Sequence, residues 1–135
     1  MTDVLSIALS GLVDQGRRLS ASASNITNSG VAGRVPTKEN PNSTVYKPLE
    51  VKTNSVALNG QPGGVKTEVT VKDTYSLAYS PKDFYANEEG MIAVPDVDYA
   101  EESVKMLTAK IAYKANLAVI KTEKEMLGEL LDSIS

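Results

Sequence analysis

The sequence predicts an α+β chain. A long helix at each end pairs with the other as an antiparallel, coiled-coil-like unit, and a small β-rich module is inserted between them. Three observations carry this. From Leu5, apolar or small residues recur at alternating spacings of four and three: Leu9, Leu12, Gly16, Leu19, Ala23, Ile26. The same rhythm returns through Val97, Ala100, Val104, Leu107 and Ile111, then through Tyr113, Leu117, Ile120, Leu127, Leu131 and Ile134. Between these stretches the period changes to two. Spacings of four and three are heptad seams, which bury a narrow stripe against another helix; a period of two marks a half-buried strand.

Residues 1–28 are the first helix. Thr2 or Asp3 suits an N-cap, because a short polar side chain accepts from the unpaired first-turn amides. Asn28-Ser29-Gly30, then Gly33 and Pro36, stop the helix. Gly11 and Gly16 lie inside it, and each costs up to ~1 kcal/mol relative to Ala. They mark either a frayed helix or a place where another helix comes close. Residues 29–44 are rich in Gly, Pro, Asn, Ser and Thr without a period, which reads as a loop or flexible linker.

Residues 45–94 form the β module. Val65, Thr67, Val69 and Val71 alternate with Lys66, Glu68, Thr70 and Lys72. Tyr46, Leu49, Val51, Val56 and Leu58 predict one or two strands before it, with Pro48 at an edge or bulge. The run from Asn59 to Gly64 is a turn. Residues 76–79 and 91–94 are two further short strands. So small a module is barely stable alone.

Residues 95–135 are the last helix, opened by Asp98 with Glu101 three residues on, a variant of the capping box. From the Asp98 cap it can run some 36 residues, about 54 Å at 1.5 Å per residue. Its two seams are out of register: Ile111 and Tyr113 are two residues apart, so they point about 200° apart. A helix with two apolar stripes needs two sets of neighbours. The reading assigns Leu5, Leu9, Leu12, Leu19, Ile26, Val104, Leu107 and Ile111 to pairing within the chain. Tyr113, Asn116, Leu117, Ile120, Leu127, Leu131 and Ile134 are assigned to contacts with other subunits. Helices of this kind draw their stability from packing, so the termini are expected to order on assembly. Head-to-tail contacts between unlike patches build open filaments.

Composition narrows the chemistry. The 135 residues include no Cys and no His, and the net charge is -3. No disulfide is possible, structural zinc lacks its usual ligands, and the Ser-His and Cys-His dyads are excluded. Nucleic-acid binding needs concentrated Lys and Arg, and Arg17-Arg18 is the densest basic spot. No window is apolar for long enough to span a membrane. The Met1-Thr2-Asp3 start lacks the positive region of a cleaved secretory signal. Glu88-Glu89 and Asp96/Asp98 lack calcium-loop spacing. The sequons at Asn25 and Asn42 are short enough to arise by chance, and no Lys-Ser/Thr follows Gly64 as a phosphate loop requires. Lys110, Lys114, Lys121 and Lys124 are offset by Glu123, Glu125 and Glu129, a mixed-charge face. No catalytic, cofactor or metal site is expected.

Several runs resemble a known family. Ala8-Leu9-Ser10-Gly11-Leu12, Arg18-Leu19 and Ala23-Ser24-Asn25-Ile26-Thr27-Asn28 resemble the N-terminal signature of bacterial flagellar rod and hook proteins. Tyr46-Lys47-Pro48-Leu49, Gly63-Gly64-Val65, Tyr79-Ser80-Pro81-Lys82-Asp83 and the stretch from Ala86 to Asp98 are similar to one proximal-rod branch. So is Tyr113-Lys114-Ala115-Asn116-Leu117. Asn25 and Asn28 are the motif asparagines; Thr27, Ile111 and Asp96-Val97-Asp98 depart from the family pattern.

The resemblance implies a structural subunit, not an enzyme, without cofactor. It implies export through the type III apparatus without a cleaved signal, and residence in the periplasm-spanning rod of the basal body. The implied partners are copies of itself, other rod subunits and the rod-base junction protein, with no nucleic acid and no small-molecule substrate. Stacked helically, such subunits form a hollow shaft that transmits torque. A soluble coiled-coil adaptor or export chaperone is the alternative. A hydrolase without His is a third possibility, for which no convergent spacing is present.

Overall fold

A computed structural model describes residues 2–41, 44–58 and 60–134, without the side chains of residues 2, 3 and 58. The capping side chains Thr2 and Asp3 and most of the sequon at Asn42 lie outside the described residues. The order is α1 (Thr2–Asn28), β1 (Leu49–Leu58), β2 (Gln61–Val71), β3 (Tyr75–Tyr79), β4 (Met91–Pro95) and α2 (Tyr99–Ile134). Two helices packed together with small antiparallel sheets between them make an α+β fold.

The inserted strands form two separate two-stranded sheets. β1 and β2 are a hairpin with Leu49 opposite Val71, Thr53 opposite Thr67 and a register shift between Ser55 and Ala57. Gly60, at φ 78°, serves its turn, where a side chain would be strained. The alternation across β2 is only half expressed: Thr67 is buried on α1, whereas Val69 and Val71, on the same face of the strand, stay exposed. β3 and β4 pair with Leu77 opposite Ala93.

The segment after α1 is tied down. Gly33 exchanges both backbone hydrogen bonds with Ala93, at 2.8 and 2.9 Å. A Cβ on Gly33 would stand 2.2 Å from the Val45 nitrogen, so only glycine fits. The Tyr46 amide donates to the Val31 carbonyl at 3.4 Å. Residues 31–33 of the predicted linker are thus tied to Tyr46 and to β4. Pro48 sits just outside β1, buried, with its carbonyl accepting from the Lys72 amide at 2.7 Å.

Asp98 caps α2: its Oδ1 accepts from the Ala100 and Glu101 amides at 2.8 and 3.1 Å. Glu101 turns to Lys105 instead, at 2.7 Å. The buried apolar residues are few and mostly small, Ala8, Ala21, Val45, Ile92, Ala93 and Ala109. Most large apolar side chains remain outside.

Candidate functional site: a polar helix seam and two outward stripes

α1 and α2 run antiparallel. A Cβ on Gly11 would meet Asn116 Nδ2 at 2.8 Å, while Ser22 and Asn25 flank Glu102 at the other end. The fully buried side chains of the seam are small or polar. α1 contributes Ala8, Gly11, Ser22 and Asn25; α2 contributes Glu102, Ala109, Asn116 and Glu123, one residue per heptad. Gly11 thus marks a close helix approach; a Cβ on Gly16 would meet nothing within 4 Å.

The sequence reading put the apolar stripes in this seam, and the structure corrects that. Leu9 is 57% exposed, Val104 62%, Leu107 59% and Ile111 61%, and Leu19 is exposed as well. Leu5, Leu12 and Ile26 are half-buried at the margin. On α1 the seam is offset by one residue from the leucine stripe, about 100° round the helix. On α2 the Val104–Leu107–Ile111 stripe faces directly away from Ala109, since positions two residues apart point about 200° apart. The second set is also redistributed. Asn116 packs against Gly11, and Ile120 and Leu127 are half-buried on the seam side. Tyr113, Leu117, Leu131 and Ile134 are exposed.

Polar contacts to the hairpin explain the offset. Asp14 is buried and accepts from the hydroxyls of Thr53 and Thr67, the latter at 2.9 Å, and from Arg18 Nε at 2.9 Å. Arg17 donates to the Thr67 carbonyl at 2.8 Å, and Ser10 Oγ accepts from the Val65 amide at 3.1 Å. These bonds turn the polar face of α1 inward, because a buried carboxylate must keep its donors. The leucines are rotated out in consequence. Burial pushes the Asp14 pKa up. Hydrogen bonds from Thr53, Arg18 and Thr67, with the Arg18 charge, outweigh burial and hold it below its ordinary value.

Glu102 is the counterpart on α2. Burial raises its pKa, but Ser22, Lys105 and Asn25 together hold it below the ordinary value. Lys105 Nζ lies 2.9 Å from Glu102 Oε1 and 2.7 Å from Glu101. Burial lowers the Lys105 pKa, and the two glutamates more than offset this, raising it. A cleft of about 580 Å³ lies beside this cluster, between α1, β1 and α2. Of its charged lining residues, Arg18, Glu50, Lys72, Asp96, Glu101, Glu102 and Lys105 are engaged in ion pairs, and Asp98 caps α2. Among the described residues no group of three or more Asp or Glu side chains is placed to hold a metal ion. No described helix is long and apolar enough to cross a membrane.

Comparison with known proteins gives the context. Residues 88–133, which span β4 and α2, match the family described as Flagellar basal body rod FlgEFG protein C-terminal. Over 135 residues the chain is 31% identical to the flagellar basal-body rod protein FlgC of Salmonella typhimurium, covering 97% of this chain and 96% of that one. It is 30% identical to FlgC of Yersinia enterocolitica, with the same coverage. It is 28% identical to FlgC of Aquifex aeolicus, covering 97% and 95%. The chain belongs to the FlgC family of flagellar basal-body rod proteins.

The two asparagines singled out in the sequence have distinct places. Asn25 is 1% exposed and joins α1 to the start of β1. Asn28 donates back to the Ser24 carbonyl at 2.9 Å, closing the last turn of α1. The sequence reading did not single out Asp14, Thr53, Thr67, Glu102 or Lys105. A signal was present. Ala8, Gly11, Gln15, Arg18, Ser22 and Asn25 also follow spacings of three and four, one residue before the leucines.

Proposed function

We propose that the chain is a structural subunit of the flagellar basal-body rod, in its proximal part. It polymerises through its terminal helices into the hollow shaft that transmits torque and conducts exported subunits. One observation carries this: the paired helices leave large apolar side chains exposed, Val104, Leu107 and Ile111 on α2 and Leu9 and Val13 on α1. Contiguous exposed apolar surface marks an interaction site. Two unlike stripes on different sides of one body suit head-to-tail stacking, which grows open assemblies. The family relationship supports the same reading.

The partners are copies of the chain, other rod subunits and the rod-base junction protein, with the type III apparatus in transit. Export proceeds without a cleaved signal. The role needs no cofactor and no enzymatic step. The adaptor or chaperone alternative predicts a closed cytoplasmic dimer. The test is a deletion strain with purified basal bodies. Loss of motility, basal bodies lacking rods, and recovery of the protein in wild-type basal bodies are expected. Normal motility, or a protein confined to the cytoplasm, refutes it.

A further inference from the structure

We infer that β3 is a self-pairing edge of the free chain. It hydrogen-bonds antiparallel to β3 of a second copy about a two-fold axis at Leu77, and each Tyr79 ring enters a pocket beside Tyr75 of the other copy.

The backbone of β3 is open along one side. The Ser80 amide donates to the Gly90 carbonyl at 2.8 Å, in the register that sets Ala78 opposite Ile92 and Ser76 opposite Val94. On β4, Ala93 turns both its backbone groups the other way, to Gly33. Ladder bonds alternate along an antiparallel pair. Ser76, Ala78 and Ser80 therefore face β4, while the amides and carbonyls of Tyr75, Leu77 and Tyr79 face outward. Those outward groups have no partner among the described residues. The outward groups of the first hairpin are treated differently. Asn25 holds both backbone groups of Leu49, Ser10 takes the Val65 amide and Arg17 the Thr67 carbonyl. Exposed edges are ordinarily guarded by Lys, Pro or a bulge. β3 carries none of these, and its side chains Tyr75, Leu77 and Tyr79 are 40%, 55% and 72% exposed.

The edge is complementary to itself. Tyr75-Ser76-Leu77-Ala78-Tyr79 has the same pattern read in either direction. Turned about Leu77, a second copy sets Leu77 on Leu77 and Tyr75 on Tyr79, which are the outward residues. Each such pair exchanges two backbone hydrogen bonds, so every outward group finds a partner. The same rotation keeps the aromatic side chains of both strands on one face, where cross-strand pairs strengthen a sheet. A slip by one residue sets outward groups against inward ones, and a slip by two leaves a tyrosine over.

A receptor for the incoming ring is already built. A pocket of about 200 Å³ borders Tyr75, with Pro36, Val45 and Thr74 in its wall. Thr74 Oγ1 is buried without a partner among the described residues. A buried hydroxyl left so is costly, and a phenol hydroxyl both donates and accepts. In the two-fold register Tyr79 of the second copy stands opposite Tyr75, and its hydroxyl supplies what Thr74 lacks.

A five-residue strand is small beside the roughly 1,600 Å² of a stable interface, so the pair is transient. A two-fold contact closes on itself, whereas head-to-tail stacking stays open. A paired chain therefore stands outside the shaft, and the pair is a form of the free subunit that assembly dissolves.

Sedimentation velocity of the full chain at rising concentration should show a monomer–dimer equilibrium before any polymer. Leu77→Pro removes an outward amide and no bond to β4. It should keep the wild-type dichroism spectrum and weaken dimerisation roughly tenfold or more. Tyr79→Phe removes only the hydroxyl and should weaken it roughly threefold or more. In a mixture of labelled and unlabelled chains, isotope-filtered NMR should find the Ser76 Hα beside the Ala78 Hα of the other copy. Should Leu77→Pro unfold the chain, Tyr79→Phe and this contact decide. A wild type that stays monomeric until polymers sediment overturns the inference. So does a dimer untouched by the β3 substitutions, or one lacking the Ser76–Ala78 contact. In all three cases the rod reading stands. A strain carrying folded Leu77→Pro should swim; loss of its motility overturns the assignment to the free subunit. The rod reading fails separately, if the deletion strain swims.

Discussion

The side-chain amide of Asn25 pairs with both backbone groups of Leu49: Nδ2 donates to the carbonyl at 2.9 Å and Oδ1 accepts from the amide at 2.8 Å. Tyr46 Oη donates to the same Oδ1 at 3.0 Å. The amide thus acts as one residue of a neighbouring strand where β1 begins. An isolated hairpin is marginal in water, so this bond and those of Asp14 decide whether β1 and β2 stay on the helix. Asn25→Ala leaves two backbone groups of Leu49 without partners, at about 1–3 kcal/mol each. A total loss of about 2–4 kcal/mol is expected in urea unfolding. Asn25→Asp should be worse, because a carboxylate cannot donate to the Leu49 carbonyl and lies beside Glu102.

Acid should loosen the fold from the hairpin and seam inward. Asp14 and Glu102 both have pKa values below their ordinary ones. A carboxyl of that kind binds fewer protons folded than unfolded. Its contribution is complete above the unfolded value of about 4 and is lost as pH falls through the lowered folded value. Lys105, raised, contributes fully below about 10.4 and loses that contribution as pH climbs through its higher folded value. Melting temperature against pH should therefore fall at both extremes. Asp14→Asn should flatten the acid limb while lowering the plateau near neutrality. An unchanged acid limb contradicts the assignment.

Two glycines should respond with opposite signs to the same substitution. Gly33→Ala drives a methyl into the Val45 backbone, 2.2 Å from its nitrogen, and should cost more than about 2 kcal/mol. Gly16→Ala meets nothing in the chain and should raise helix stability by about 0.5–1 kcal/mol. Thermal melts of the two variants at low concentration give the comparison.

Leu107→Ser changes a side chain that is mostly in water already. Monomer stability should shift by no more than about 0.5 kcal/mol. Assembly should be lost, and with it motility. A motile strain carrying this variant, with normal rods, excludes the α2 stripe as a contact.

The two long helices were legible because four-and-three spacing, kept up over several turns, matches the 3.6-residue period of a helix and not the two-residue period of a strand. Asp98 announced the start of α2. The strands were legible from alternation and the turn from the Asn59–Gly64 run, although β2 already begins at Gln61; which strand pairs with which was not legible. The facing of the helices was not. Hydrophobic pattern points to the greasiest stripe, and here Asp14, Ser22 and Asn25 take the interior because their partners sit on β1, β2 and α2. Such partners are distant in sequence: Asp14 meets Thr67 across 53 positions. Glycine was ambiguous for the same reason, and only contacts separate Gly11, pressed on Asn116, from Gly16, open. Residues 29–44 read as a linker because the Gly33–Ala93 exchange leaves no pattern in local composition.

α2 has 36 residues and α1 has 27, and the pair is level where the hydroxyls of Ser29 and Tyr99 join. The surplus length of α2 therefore falls at one end, as a tongue bearing the exposed Leu130, Leu131 and Ile134. The molecule has a front and a back. Any column of such molecules inherits an arrow, and its two tips offer different chemistry to whatever is added next.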